Sequence, residues 1–240
     1  MNCTISYNIQ NIISHYLYDL TDVINLYNLS KEHQNYIIIV DMYDRKKKQL
    51  KKLTQNILEQ SKFKYLQKLN VLTLNIFNLD HLQNTLKILK CEGITNNIGQ
   101  AQINNLHLVE LYAENNKNIY DVNHMNDTLK ILNCSGSCGI DQSGISLLNL
   151  KELYAWTNQR IHTVNHLKDT LKILHCGHFS SINQNGISLL NLSEISVWSN
   201  YNITNINHMT SLQILNCDCD SEIIFNLFSD NHIVRPIINC

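Results

Sequence analysis

Along most of the chain, apolar residues return in the order LxxLxL, opening at Leu69, Leu86, Leu108, Leu129, Leu150, Leu171, Leu192 and Leu212. From Leu86 the steps are 22, 21, 21, 21, 21 and 20 residues. The fourth place holds Leu89, Leu111, Leu132, Leu153, Leu174, Ile195 and Leu215, and the sixth a smaller series, Cys91, Ala113, Cys134, Ala155, Cys176, Val197 and Cys217. An isoleucine follows eleven places after the opening leucine (Ile119, Ile140, Ile161, Ile182, Ile203 and Ile223), displaced to Ile98 in the Leu86 copy. Alternating apolar places turn one face of a short strand inward, and the isoleucine starts a return leg. One such coil cannot bury its own apolar face, so neighbours must stack and share a continuous core. The spacing therefore predicts an α/β solenoid, a parallel β-ladder with short helical or 3-10 turns on its far side.

The coils come in pairs. Residues 123–164 contain NHMNDTLKILNC and GIDQSGISLLNLKELYAW, and 42 residues later NHLKDTLKILHC and SINQNGISLLNLSEISVW follow. In half of the return legs GISLLN, as at Gly144 to Asn149, predicts a helical or 3-10 turn burying Ile145 and Leu148; in the others Val164 and Leu167 fill that place. This spacing, in seven to eight copies over 67–240, resembles the leucine-rich-repeat family, whose repeats run 20 to 29 residues. The resemblance implies that strand residues outside the core line a concave face open to a protein partner. The third places there are Ile88, Glu110, Ile131, Glu152, Ile173, Glu194 and Ile214; the fifth include Lys90, Tyr112, Asn133, Tyr154 and His175; the seventh include Trp156 and Trp198. Glu110, Tyr112, Glu152, Tyr154, Trp156, Glu194 and Trp198 are accordingly the expected partner-binding set, suited to a partly basic, partly apolar protein. The alternative is that these residues recur only because the repeats were copied with their surfaces.

Residues 1–40 lack the repeat and show helical periodicity instead. Ile9, Ile12, Ile13, Tyr16 and Leu17 form one stripe, Thr21 can cap a helix carrying Val23, Ile24, Leu26 and Tyr27, and Ser30 can cap a third. The run from Ile9 to Ile37, with Tyr16-Leu17, Asp22-Val23-Ile24 and Leu29-Ser30-Lys31, resembles an F-box, although the Leu-Pro that opens that motif is missing and His33 or Tyr36 stands in the aromatic place. The resemblance implies a small all-α segment in which Ile9, Ile12, Ile13, Leu17, Val23, Ile24 and Leu26 bind a Skp-type adaptor, with a cullin beyond it, while the repeats hold the substrate of a ubiquitin ligase. The alternative is a helical cap on the end of the stack, which every solenoid needs. Residues 41–66 are expected to be a basic amphipathic helix or linker and part of that cap. Nine of the nineteen basic residues fall between Arg45 and Lys68, with Leu50, Leu53 and Ile57 as the apolar stripe and Arg45 to Lys48, Lys51 and Lys52 as its solvated face.

Composition narrows the function. The 240 residues carry 19 Lys plus Arg against 20 Asp plus Glu, a formal net charge of −1, which gives no global pull toward nucleic acid or a membrane surface. No apolar run reaches the roughly 20 residues a membrane span needs, and Met1-Asn2-Cys3-Thr4-Ile5 does not read as an export signal. Cys91, Cys134, Cys176 and Cys217 recur with the repeat, which reads as buried thiols in a reducing, cytoplasmic compartment rather than a disulfide framework. His81, His124, His166 and His208 recur likewise, too far apart along a solenoid to converge on a metal, and are expected to satisfy turns. No phosphate loop, nucleophile elbow or carboxylate pair stands out, so the expectation is a non-enzymatic monomer with no cofactor and no metal. The 35 asparagines and near-identical tandem copies resemble the Asn-rich leucine-rich-repeat proteins of giant amoeba-infecting viruses, which implies host cytoplasm.

Overall fold

The computed structural model describes residues 39, 41–42, 50, 53–71, 75–94, 97–224 and 236–239. These fall in two compact units, one ending at Leu108 and one beginning at Val109. Each is a stack of coils carrying one short strand per coil, so the α/β solenoid with its leucine-rich-repeat type of parallel ladder is the fold. The expected all-α segment of residues 1–40, Ile39 apart, lies outside the described residues.

In the first unit, β1 (Asp41–Met42), β2 (Lys68–Asn70) and β3 (Ile88–Lys90) are parallel, with Met42 opposite Leu69 and Leu69 opposite Leu89. This pairing corrects two expectations. Leu89 holds the fourth place of its motif, so Leu69 is a fourth place too, and the first copy opens at Leu66, with Leu66, Leu69 and Val71 all buried. Residues 41–66 are not a single basic helix either. They start with a strand of the ladder, and a helical turn at Gln55–Leu58 buries Leu58 while Ile57 stays half-buried. Ile39 and Leu50 are buried eleven residues apart, like the first place and the isoleucine of a later coil. Lys62, within the basic run, is buried beside Phe63 rather than solvated, its ammonium 5.7 Å from the ring centre and its pKa lowered by burial. Arg45 to Lys48, Lys51 and Lys52 lie outside the described residues.

The second unit is more regular. Strands β4 (Glu110–Tyr112), β5 (Ile131–Asn133), β6 (Glu152–Tyr154), β7 (Ile173–His175), β8 (Glu194–Ser196), β9 (Ile214–Asn216) and β10 (Ile237–Asn239) pair in parallel, with Leu111, Leu132, Leu153, Leu174, Ile195, Leu215 and Ile238 opposite one another in turn. From Leu111 to Leu215 these side chains are sealed from solvent, as are Ala113, Cys134, Ala155 and Cys176 in the row beside them. Burying a leucine stabilises by about 1.5–3 kcal/mol, so the rows suffice to hold coil to coil. The return legs form 3-10 turns at Asn123–Met125, Ser143–Ile145, Asn165–Leu167 and Asn185–Ile187. Gly144 and Gly186 open the GIS turns because a Cβ there would run into the carbonyls of Tyr120 and His162 on the preceding coil.

Three polar devices, each on a 42-residue period, tie one coil to the next. Asn158 is buried and donates to the carbonyls of Cys134 (2.8 Å) and Ile140 (3.2 Å) while accepting from the Arg160 amide; Asn200 does the same for Cys176, Ile182 and Asn202. Gln142 and Gln184 act as extra backbone units, each accepting from two amides of the following coil and donating to one of its carbonyls; Gln55 does so in the first unit. In the Asn-His pairs, Asn123 and Asn165 reach Ser143, Leu147, Asn185 and Leu189 ahead. His81, His166 and His208 donate back to the carbonyls of Leu58, Ile145 and Ile187 at 3.0–3.2 Å. The histidine ladder is therefore a brace between coils. Buried carbonyls left without such donors would each cost about 1–3 kcal/mol.

Strands β3 to β8 each lead into the same corner. The eighth place of six successive coils, Gly93, Asn115, Gly136, Thr157, His178 and Ser199, adopts φ between 53° and 87°. Within the second unit, the amides of Asn115, Gly136, Thr157 and His178 donate to the carbonyls of Ser135, Trp156, Gly177 and Trp198 on the next coil. Left-handed backbone suits Gly and Asn but costs a branched residue such as Thr157 about 1–2 kcal/mol.

Candidate protein-interaction face

With the fourth and sixth places of each strand turned into the core, the third, fifth and seventh places of β4 to β9 form the opposite, open face. Register sets the third places in one row, Glu110, Ile131, Glu152, Ile173, Glu194 and Ile214, and the fifth in another, Tyr112, Asn133, Tyr154, His175, Ser196 and Asn216. All of these except the buried Ser196 are half-exposed.

The face is internally organised. The Tyr112 and Tyr154 hydroxyls donate to Glu110 and Glu152, each at 2.9 Å, so a phenol and a carboxylate on one strand hold each other upright. The His175 Nε2–H donates to Glu194 at 3.0 Å, and the Asn216 amide approaches the same oxygen at 3.4 Å. The Tyr154 ring meets His175 edge-on at 4.8 Å, and Trp156 packs against both His175 (6.0 Å) and His178 (5.1 Å). Burial, the hydrogen bond to Glu152 and the charges of Glu152 and Glu194 together push the Tyr154 phenol up to about 12. It thus stays a neutral donor across the physiological range. Gly177 lies in the seventh row between Trp156 and Trp198, and a Cβ there would press on the Trp198 backbone.

The structure thus brings Glu152, Tyr154, Trp156 and Glu194 of the expected set into one cluster. It places Glu110 and Tyr112 two strands away as a second copy of the Glu–Tyr pair, and Trp198 in the turn two residues beyond β8, half-exposed. His175, a fifth-place residue of the open face outside the expected set, and His178, at the corner that follows, join the cluster. Ile9, Ile12, Ile13, Leu17, Val23, Ile24 and Leu26 lie outside the described residues.

The open face of the first unit is different in kind. Lys68 pairs with Asp41 at 3.7 Å and Lys90 with Glu92 at 3.0 Å, and among the described residues no aromatic side chain stands in β1, β2 or β3. Among the described residues, no group of three or more His, Cys, Asp or Glu could hold a metal ion, and no helix is long and apolar enough to cross a membrane. Cys91 is buried; Cys134, Cys138, Cys176 and Cys217 are free and buried, and Cys219 is free and exposed. Burial pushes the Cys138 thiol up to about 11 and Cys176 up to about 12, so these thiols are core groups, not nucleophiles.

No protein-family model matches the chain, and no curated protein matches it. Among solved structures, a chain in the crystal structure of the Rad7 and Elc1 complex in yeast is similar to it with 12% identity and a TM-score of 0.40. That alignment covers 97% of this chain and 92% of the other.

Proposed function

We propose that the chain is a non-enzymatic protein-binding receptor that holds a partner on the open face of β4 to β9. The observation that carries this reading is the cluster of Glu152, Tyr154, Trp156, His175, His178 and Glu194, drawn from three successive coils. Stacking needs only the inward rows, so a mutually braced set of aromatic and acidic groups on the opposite face serves something other than the core. Trp and Tyr held rigid and half-exposed lose little entropy on contact and are the residue types that dominate binding hot spots.

The finer reading is that of a substrate receptor of a cullin-type ubiquitin ligase in the cytoplasm, with residues 9–37 docking a Skp-type adaptor. Its support is the F-box resemblance of that segment. A second reading, a binding scaffold whose N-terminal helices only cap the stack, is favoured by β1, which stands at the start of the first unit's ladder where an edge needs cover. Pull-down of a Skp-type adaptor by wild type and by Leu17→Asp separates the two. The receptor reading expects capture by wild type and loss in the variant; no capture, or equal capture by both, leaves the scaffold. The face itself is tested by Trp156→Ala, which must reduce recovery of whatever protein wild type recovers from host extract.

A further inference from the structure

The third-place row alternates charge and grease with a fixed pitch: Glu110, Ile131, Glu152, Ile173, Glu194, Ile214, one residue per strand and each opposite the next. Strands in a sheet lie about 4.8 Å apart, so carboxylates recur every 10 Å or so with an isoleucine midway. Glu110 and Glu152 each have one oxygen taken by a tyrosine, and Glu194 has one taken by His175 and Asn216. Lys130, Lys151 and Lys172 precede three of these strands, but among the described residues none forms an ion pair with the row. Each carboxylate therefore keeps acceptor capacity for a cation from outside.

Resting on the reading that this face binds protein, we propose that its occupant is an amphipathic α-helix lying across the strands, with Lys or Arg every seventh residue and an apolar residue three or four places after each. Rise decides this. Seven helical residues advance about 10.5 Å and return to the same side, and the residue at three or four falls on that side halfway along, over Ile131 and Ile173. An extended strand advances about 3.3 Å per residue and shows one face every second residue, so its same-face spacings of about 6.6 and 13 Å miss the carboxylate pitch. A polyproline helix returns every three residues at about 9.3 Å and can match the carboxylates, but it presents nothing at the midpoint and leaves the isoleucines uncovered. Only the α-helix satisfies both members of the alternation. Trp156 and Trp198 then flank the bound helix and report its arrival.

The test titrates the full chain with synthetic peptides and reads fluorescence of its only two tryptophans, Trp156 and Trp198. One peptide carries Lys at three heptad-spaced places with Leu between; a second has the same composition in scrambled order; a third is a polyproline with Lys every third residue; a fourth is the heptad peptide with Lys replaced by Glu. The expected result is that the heptad peptide binds at least tenfold more tightly than the other three, with affinity falling as salt rises and about fivefold or more on Glu152→Gln. Equal binding by heptad and scrambled or polyproline peptides overturns the helical register. If that binding still falls on Trp156→Ala, the face reading stands without it. No binding by the heptad peptide overturns the proposal outright, and Trp156→Ala in the extract pull-down then decides the face reading separately.

Discussion

The unit ending at Leu108 and the unit beginning at Val109 build the same ladder from different material. In the first, Met42, Leu69 and Leu89 stand opposite one another although unequal lengths of chain separate them; in the second, Leu111, Leu132, Leu153 and Leu174 follow at constant spacing. The first has the Gln55 clamp and the His81 brace; the second repeats clamp and brace and adds the buried Asn158 and Asn200. Their open faces diverge further, with lysine–carboxylate ion pairs in one and braced tyrosine, tryptophan and glutamate in the other. A parallel ladder demands only its inward rows. Coil length can vary, the polar ties can be multiplied by duplication, and the open face is left to specialise.

The sharpest break of that comparison is at the ninth place of the coil. Asn158→Ala leaves the carbonyls of Cys134 and Ile140 without their donor and should destabilise by about 2–4 kcal/mol in urea unfolding. Ile94 occupies the same place in the first unit but is exposed, and Ile94→Ala should shift stability by less than about 0.5 kcal/mol. Equal losses would mean that the buried asparagines do not tie the coils.

The functional contrast comes next. Tyr154→Ala or Trp156→Ala should weaken partner binding about thirtyfold, the scale of a hot-spot loss of about 2 kcal/mol, whereas Lys68→Ala with Lys90→Ala should change it less than about twofold. A reversal of that order would move the binding face to the first unit.

Corner strain offers a gain. Thr157 is a branched residue at φ 55°, so Thr157→Asn should stabilise by about 1 kcal/mol and raise Tm by a few degrees, while Gly93→Ala, at φ 87°, should lower it by a similar amount. Unchanged Tm in both would show that the corners relax freely.

At alkaline pH the buried thiols matter. Cys176 is held at about 12 in the fold against about 9 for an ordinary thiol, so the unfolded chain loses that proton first. Its contribution is complete below pH 9 and is lost as pH rises from 9 toward 12. Cys176→Ala should flatten that alkaline decline, and an unchanged slope would exclude the thiol as its source. The smallest effect belongs to Lys68 and Asp41, a 3.7 Å ion pair in partly exposed surroundings, where removing one partner should cost under about 0.5 kcal/mol.

The leucine rows were legible because duplication copied them nearly intact, and with them came the ladder, the 3-10 turns and the residues of the open face. The first register was not. Residues 69–74, LNVLTL, match LxxLxL to the letter, whereas 66–71, LQKLNV, carry the smaller sixth residue of the other copies, and the pairing of Leu69 with Leu89 decides for the latter. The buried asparagines were hidden by abundance, Asn116, Asn158 and Asn200 being three among 35. The left-handed corner was hidden by variety, because Thr157, His178 and Ser199 stand where Gly93 and Asn115 would have signalled it. His175 and Trp156 belong to different coils, so their contact depends on register, which spacing alone leaves open.

The most direct test of the stacked-coil account is a methyl–methyl nuclear Overhauser spectrum of the Ile/Leu-labelled full chain. Parallel strands about 4.8 Å apart predict strong cross-peaks from Leu132 to Leu153 and from Leu153 to Leu174, with those from Leu132 to Leu174, about 10 Å apart, much weaker or missing. Strong Leu132–Leu174 contacts, or none between the residues paired in register, would contradict it.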